Sequence, residues 1–84
     1  MDEEVRAAVR RFPDRQAGIE ALAASDEEFR SLCADFGDAE AALRHWEAAT
    51  SPARDQLCSE YRQLVQELAD EIEAALGAAR RDVR

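Results

Sequence analysis

The sequence predicts an all-α protein: a long antiparallel helical hairpin preceded by an N-terminal helix that is kinked or split at Pro13. Three observations carry that prediction. Apolar residues recur at spacings of three and four along three stretches, the pattern of one buried helix face. A short Thr50-Ser51-Pro52 turn separates the two longest stretches, and Pro13 interrupts the first. The expected helices span about residues 2–11, 14–24, 26–49 and 52–76, with a fraying tail over 78–84, all within one domain of residues 1–84.

The first stretch places Val5, Val9, Phe12, Ile19 and Leu22 on one stripe. Pro13 breaks it by removing an amide donor and by disfavouring helical geometry at Phe12. Gly18 costs the following turn about 1 kcal/mol relative to alanine, so this segment needs a surface to pack on. The next helix is expected to open at Ser25 with a capping box, in which its hydroxyl accepts from the Glu28 amide and the Glu28 side chain reaches back. Asp26, Glu27 and Glu28 add negative charge at the positive end of the helix dipole.

From there Phe29, Leu32, Phe36, Ala39, Leu43 and Trp46 repeat in a heptad rhythm, with Ala39 and Gly37 as thin points that admit close approach of a partner backbone. Ser51 is a good N-cap and Pro52 suits the first position of a new helix. That helix carries Cys58, Tyr61, Val65, Leu68, Ile72 and Ala75 in the same rhythm, flanked by Leu57, Leu64 and Leu76. Its apolar stripe is wider than a two-stranded seam requires. Gly77 is expected to end it as a C-terminal cap. Two long helices joined by a short loop lie antiparallel. The surplus stripe then needs a third surface: the N-terminal helix of the same chain, giving a small three-helix bundle, or a second copy, giving a coiled-coil-like oligomer. Spacing does not choose between them.

Composition explains why that third surface matters. Of 39 hydrophobic residues among 84, eighteen are alanine, leaving 21 larger apolar side chains. A chain this short buries only about 60 to 65% of its unfolded surface. The arithmetic excludes a second domain and disfavours a large enclosed active site. Net charge is −8, with seven acids against Arg30 and Arg44 between Ser25 and Ala49. Such a field repels phosphate backbones and anionic bilayers, which excludes direct nucleic-acid and membrane binding. No apolar run exceeds Ala21–Ala24, and the acidic start Met-Asp-Glu-Glu lacks the basic residues and apolar stretch of a signal peptide, so a cytoplasmic location is expected.

No residue constellation points to catalysis, a cofactor or a metal. If the turn is centred near residues 50 and 51, Cys58 lies opposite about Leu43, leaving Cys33 about 15 Å away along the axis. A disulfide requires Cα atoms within about 7 Å, so both cysteines read as small buried hydrophobes. The lone His45 falls off the apolar face and cannot assemble a ligand set. Asp35 with Asp38, and Glu67 with Asp70 and Glu71, read as solvated acidic faces. Asp35-Phe36-Gly37 matches the kinase magnesium triplet, but inside a helix and without its companion loops that is coincidence. Trp46 and Tyr61 read as packing anchors, and Arg80, Arg81 and Arg84 as cations complementing a helix C-terminus.

Phe12-Pro13, Ile19, Leu22, the run Asp26-Glu27-Glu28-Phe29-Arg30-Ser31-Leu32, Leu43 to Glu47, and Tyr61 to Leu68 together resemble the YdcH-like family of small bacterial helical proteins, over about Phe12 to Leu76. The resemblance implies a short helix followed by a long helical hairpin. It implies no catalytic or cofactor residues. The expected function is therefore a non-enzymatic interaction module that self-associates or docks a partner helix, with Val5, Val9, Phe12, Leu57, Leu64 and Leu76 as its candidate surface. The alternative is an acidic regulatory protein whose Ser25 to Ala49 segment binds a basic surface of a partner, in competition with that partner's nucleic acid.

Overall fold

The computed structural model describes residues 2–82, with side chains through Arg80. The protein is all-α: four α-helices, α1 (Arg6–Arg11), α2 (Gln16–Ser25), α3 (Glu27–Glu47) and α4 (Arg54–Asp82), are joined by short turns, and no strand occurs among the described residues. The molecule is a rod of 52 × 22 × 21 Å. Its length is set by α4, whose 29 residues span about 44 Å.

Helices α3 and α4 form the antiparallel hairpin that the heptads predict. The N-terminal segment supplies the third surface. A 3₁₀ turn at Glu3–Val5, α1 and α2 pack against α3, and α2 also reaches α4. One core results at the open end of the hairpin, containing Val5, Ala8, Val9, Ile19, Phe29, Cys33, Phe36, Ala69, Ile72 and Leu76. Gly37 admits α1 to that core: a Cβ built there would stand 3.3 Å from the Ala7 Cβ, tighter than ordinary contact.

The break at Pro13 takes the split form. Phe12 leaves helical geometry at φ −127°, ψ 65°, and Pro13–Arg15 form a 3₁₀ turn before α2 begins. The boundary between α2 and α3 lies one residue later than the capping-box reading. Ser25 is the last residue of α2, and its hydroxyl turns back toward the Ala21 and Leu22 carbonyls at 3.5 and 3.4 Å. Asp26 is the cap, in extended geometry, with Oδ1 accepting from the Phe29 amide at 3.1 Å. A carboxylate at the positive end of the dipole is the stronger cap, so the break closes to a single residue. Arg30 then secures the joint by donating from Nε and Nη2 to the Ala23 carbonyl at 3.2 and 2.8 Å.

At the tip, the Ser51 hydroxyl accepts from the Ala53 amide at 3.1 Å, and Pro52 lies in the turn, so α4 starts at Arg54 and not at residue 52. Arg54 also donates Nε to the Glu47 carbonyl at 3.0 Å, closing the end of α3.

The far end of α4 departs most from expectation. Gly77 is not a cap: it has no positive φ, and the helix continues through it to Asp82, so residues 78–82 are helix and only Val83 and Arg84 of the expected tail lie outside the described residues. Two causes act together. Ala74, Ala75, Ala78 and Ala79 surround Gly77 with the best helix former. Helix α2 also lies against this extension, with a Cβ at Gly18 placed 3.8 Å from the Leu76 Cδ2.

Two outcomes follow for stability. Gly77→Ala finds open space around its new Cβ in an uninterrupted helix, and should stabilise the fold by about 0.5 to 1 kcal/mol in urea denaturation; a loss of stability would mean that the helix ends at Gly77. Asp26→Ala should cost about 1 kcal/mol, while Ser25→Ala changes stability by no more than about 0.5 kcal/mol; the reverse order would restore Ser25 as the cap.

Candidate functional site

The N-terminal segment covers only one flank of the hairpin. Along the other flank, α3 and α4 leave an open groove. Its upper part is lined by Glu27, Glu28, Ser31, Leu32, Asp35, Leu68 and Glu71. Its lower part is lined by Asp35, Asp38, Ala39, Ala42, Tyr61, Leu64 and Leu68. Asp35 and Leu68 belong to both, so the two parts are continuous.

Helical geometry explains this lining. Leu32, Asp35, Ala39 and Ala42 recur at three and four along α3, and Tyr61, Leu64, Leu68 and Glu71 do the same along α4, so each set forms one strip facing the other across the seam. Ala39 and Ala42 are too small to fill the space between the helices. Leu32 and Leu68 touch the core on one side and remain half-buried on the other. Leu64 is the exposed large hydrophobic residue among those described, at 39%. Seven-residue spacing extends the same flank toward half-buried Trp46 from Ala39, and toward half-buried Leu57 from Leu64.

The rim of the groove is acidic mainly on its α3 side. Five carboxylates, from Glu27, Glu28, Asp35, Asp38 and Glu71, border it, and no arginine lines it. Among the described residues the ion pairs are Arg54 with Asp55 and Arg62 with Glu47, so none of the five is ion-paired, although Asp38 also lines a cleft with Arg6 and Arg10 on the α1 side.

The six residues expected to form the interaction surface divide. Val5, Val9 and Leu76 are buried at 1%, 7% and 4% exposure inside the chain's own core. They correct the expectation of a free stripe: intramolecular closure uses them up. Phe12 is half-buried against that core, with the Arg11 guanidinium 4.9 Å over its ring. Leu57 and Leu64 alone stay outside the core, on the open flank. Sequence reasoning assigned Leu32, Tyr61 and Leu68 wholly to the seam and missed that they also floor a groove. The signal that could have found them is the alanine pair Ala39 and Ala42 facing a leucine-rich strip.

The remaining chemical residues stand apart from this groove. Cys33 and Cys58 are free and buried. Burial pushes the Cys33 thiol from its ordinary 9.0 up to about 11. His45 is exposed and meets Trp46 edge-on at 5.3 Å. Asp35-Phe36-Gly37 lies within α3, with Phe36 fully buried as a core side chain. Among the described residues no group of three or more histidines, cysteines and carboxylates could hold a metal ion. No described helix is long and apolar enough to cross a membrane. No protein-family model, curated protein or solved structure matches the chain.

The thiol gives a pH prediction. Folding holds the Cys33 proton more tightly than the unfolded chain does, so its stabilising share is complete below about pH 9 and is lost as pH rises toward about 11. Denaturation series across that window should fall more steeply for the natural chain than for Cys33→Ala. Parallel slopes would show that the thiol ionises as freely folded as unfolded.

Proposed function

We infer that this protein is a non-enzymatic helical interaction module, acting in the cytoplasm, that binds another protein through the open flank of its hairpin. One observation supports the reading above others: the chain spends its N-terminal segment on one flank and leaves the leucine strip of the other, centred on Leu64, half-covered. Exposed contiguous apolar strips rimmed by polar residues are characteristic of protein contact sites. The resemblance to the YdcH-like family bears on the hairpin fold that carries this reading and not on an activity.

An acidic regulator that engages a basic partner surface is the second reading. The unpaired carboxylates around the groove favour it. The two readings use the same face and differ in what drives association: apolar contact is nearly insensitive to salt, whereas charge pairing weakens as salt rises.

A photoreactive amino acid placed at position 64 tests the face itself. Gln66 is exposed and lies on the opposite side of α4 by helical spacing, which makes it the control position. In extracts of the source cells, adducts to discrete proteins or to a second copy should form from position 64 and be several-fold fewer from position 66. Equal adducts from both positions, together with a single monomeric species in analytical ultracentrifugation, would defeat the interaction reading.

A further inference from the structure

We propose that the occupant of the groove is a basic amphipathic helix of a partner protein, about three turns long, which lays a stripe of aliphatic side chains between α3 and α4 and rows of arginine or lysine against the acidic rim. The proposal rests on the interaction reading above and specifies its partner.

Shape supplies the first part of the argument. The apolar floor of the groove runs from Leu32 to Ala42 on α3, ten residues or about 15 Å at 1.5 Å per residue. That matches two to three turns of helix. A straight groove between two parallel ridges, floored by Leu32, Leu64, Leu68 and Tyr61, accepts a third helix in the way that the opposite flank of the same hairpin accepts α1 and α2. Ala39 and Ala42 let that helix approach closely, as Gly37 lets α1 approach on the other side.

Charge supplies the second part and selects the occupant. Glu27, Glu28, Asp35 and Asp38 of α3 and Glu71 of α4 border the groove, and none of them is ion-paired to a described arginine. A second copy docking by a two-fold axis would bring this rim against itself, because an isologous interface pairs the same patch on both subunits. Like charges so juxtaposed oppose association. The net charge of −8 adds repulsion between copies at longer range. A helix with arginine or lysine beside its apolar stripe meets each carboxylate with an opposite charge while filling the same floor. An anionic bilayer or a nucleic acid is repelled by the same field.

The test uses the full chain and three synthetic helical peptides of about 14 residues, about ten to cover the apolar floor of the groove and about one further turn for the helix ends. One carries a leucine stripe flanked by arginines, one the same stripe flanked by glutamates, and one the arginine composition scrambled so that no stripe exists. Binding is read by fluorescence anisotropy and mapped by backbone amide shifts. The arginine-flanked peptide should bind, shift amides along Leu32 to Ala42 and Tyr61 to Glu71, and weaken about tenfold on raising salt from low to high. Asp35→Asn with Asp38→Asn should weaken it by a similar factor, as should Leu64→Ser, and circular dichroism should show all variants folded, since the three side chains are exposed.

Equal binding of the scrambled peptide would overturn the groove as the site, and equal binding of the glutamate-flanked peptide would overturn charge selection. A dimer that Leu64→Ser dissociates would make a second copy the occupant; the proposal then fails while the interaction reading stands. No peptide binding, with a monomer and no preferential adducts from position 64, would remove both.

Discussion

The contact between α1 and α3 at Gly37 is the joint on which the architecture depends. A hairpin of two amphipathic helices buries one seam and leaves two flanks. Only where α1 comes close, with Ala7 opposite the bare Cα of Gly37, does a third layer form and a dry core appear. The largest fully buried side chains, Phe36, Ile19, Ile72 and Val5, all belong to that core. Any side chain at position 37 that lifted α1 would expose Val5 and Val9 together. Full burial of one aliphatic side chain contributes about 1.5 to 3 kcal/mol, a large part of the margin of so small a domain.

Away from that joint the hairpin is thinly held. Ala39 and Cys58 are the buried residues of the hairpin outside the core cluster, and both are small. Leu43, Trp46, Leu57, Tyr61 and Val65 are half-buried. Two helices crossing alone cannot enclose larger side chains on every side, so partial exposure is a geometric result of having no third element there. The alanine-rich composition suits this arrangement, because alanine favours the helix without adding apolar surface that the arm has no means to cover.

This division explains which parts were legible beforehand. The seams of α3 and α4 were readable because heptad spacing sustained over eighteen residues in each has no other stable interpretation, and the split at Pro13 follows from a missing donor. What periodicity reports is that a helix has an apolar face; it does not report what covers that face. Val5, Val9 and Leu76 therefore looked like surplus, although the N-terminal segment packs on α3 and α2 also reaches α4, and of that set only Leu64 is exposed, with Leu57 half-buried outside the core. The ends were legible to within a residue at Asp26, where Ser25 and Asp26 are both good caps and the helix dipole favours the carboxylate. At Gly77 the glycine alone pointed the wrong way, since the flanking alanines and the burial of Leu76 against α2 together outweigh its cost.

The groove was illegible for a related reason. Its floor and its rim come from different helices, and acids spaced along α3 read as solvated until Leu64 and Leu68 are seen to lie across from them. Placed together, the two properties constrain each other. An apolar strip open to water invites self-association in a protein with few other means of covering it. Unpaired carboxylates along the α3 edge, with Glu71 on α4, oppose that outcome, because each approaching copy carries the same charge to the same place. The repulsion costs the monomer little, since the carboxylates remain hydrated, and it vanishes for a partner of opposite sign. On the proposed reading, the rim that would oppose a second copy also sets the charge of the groove's occupant.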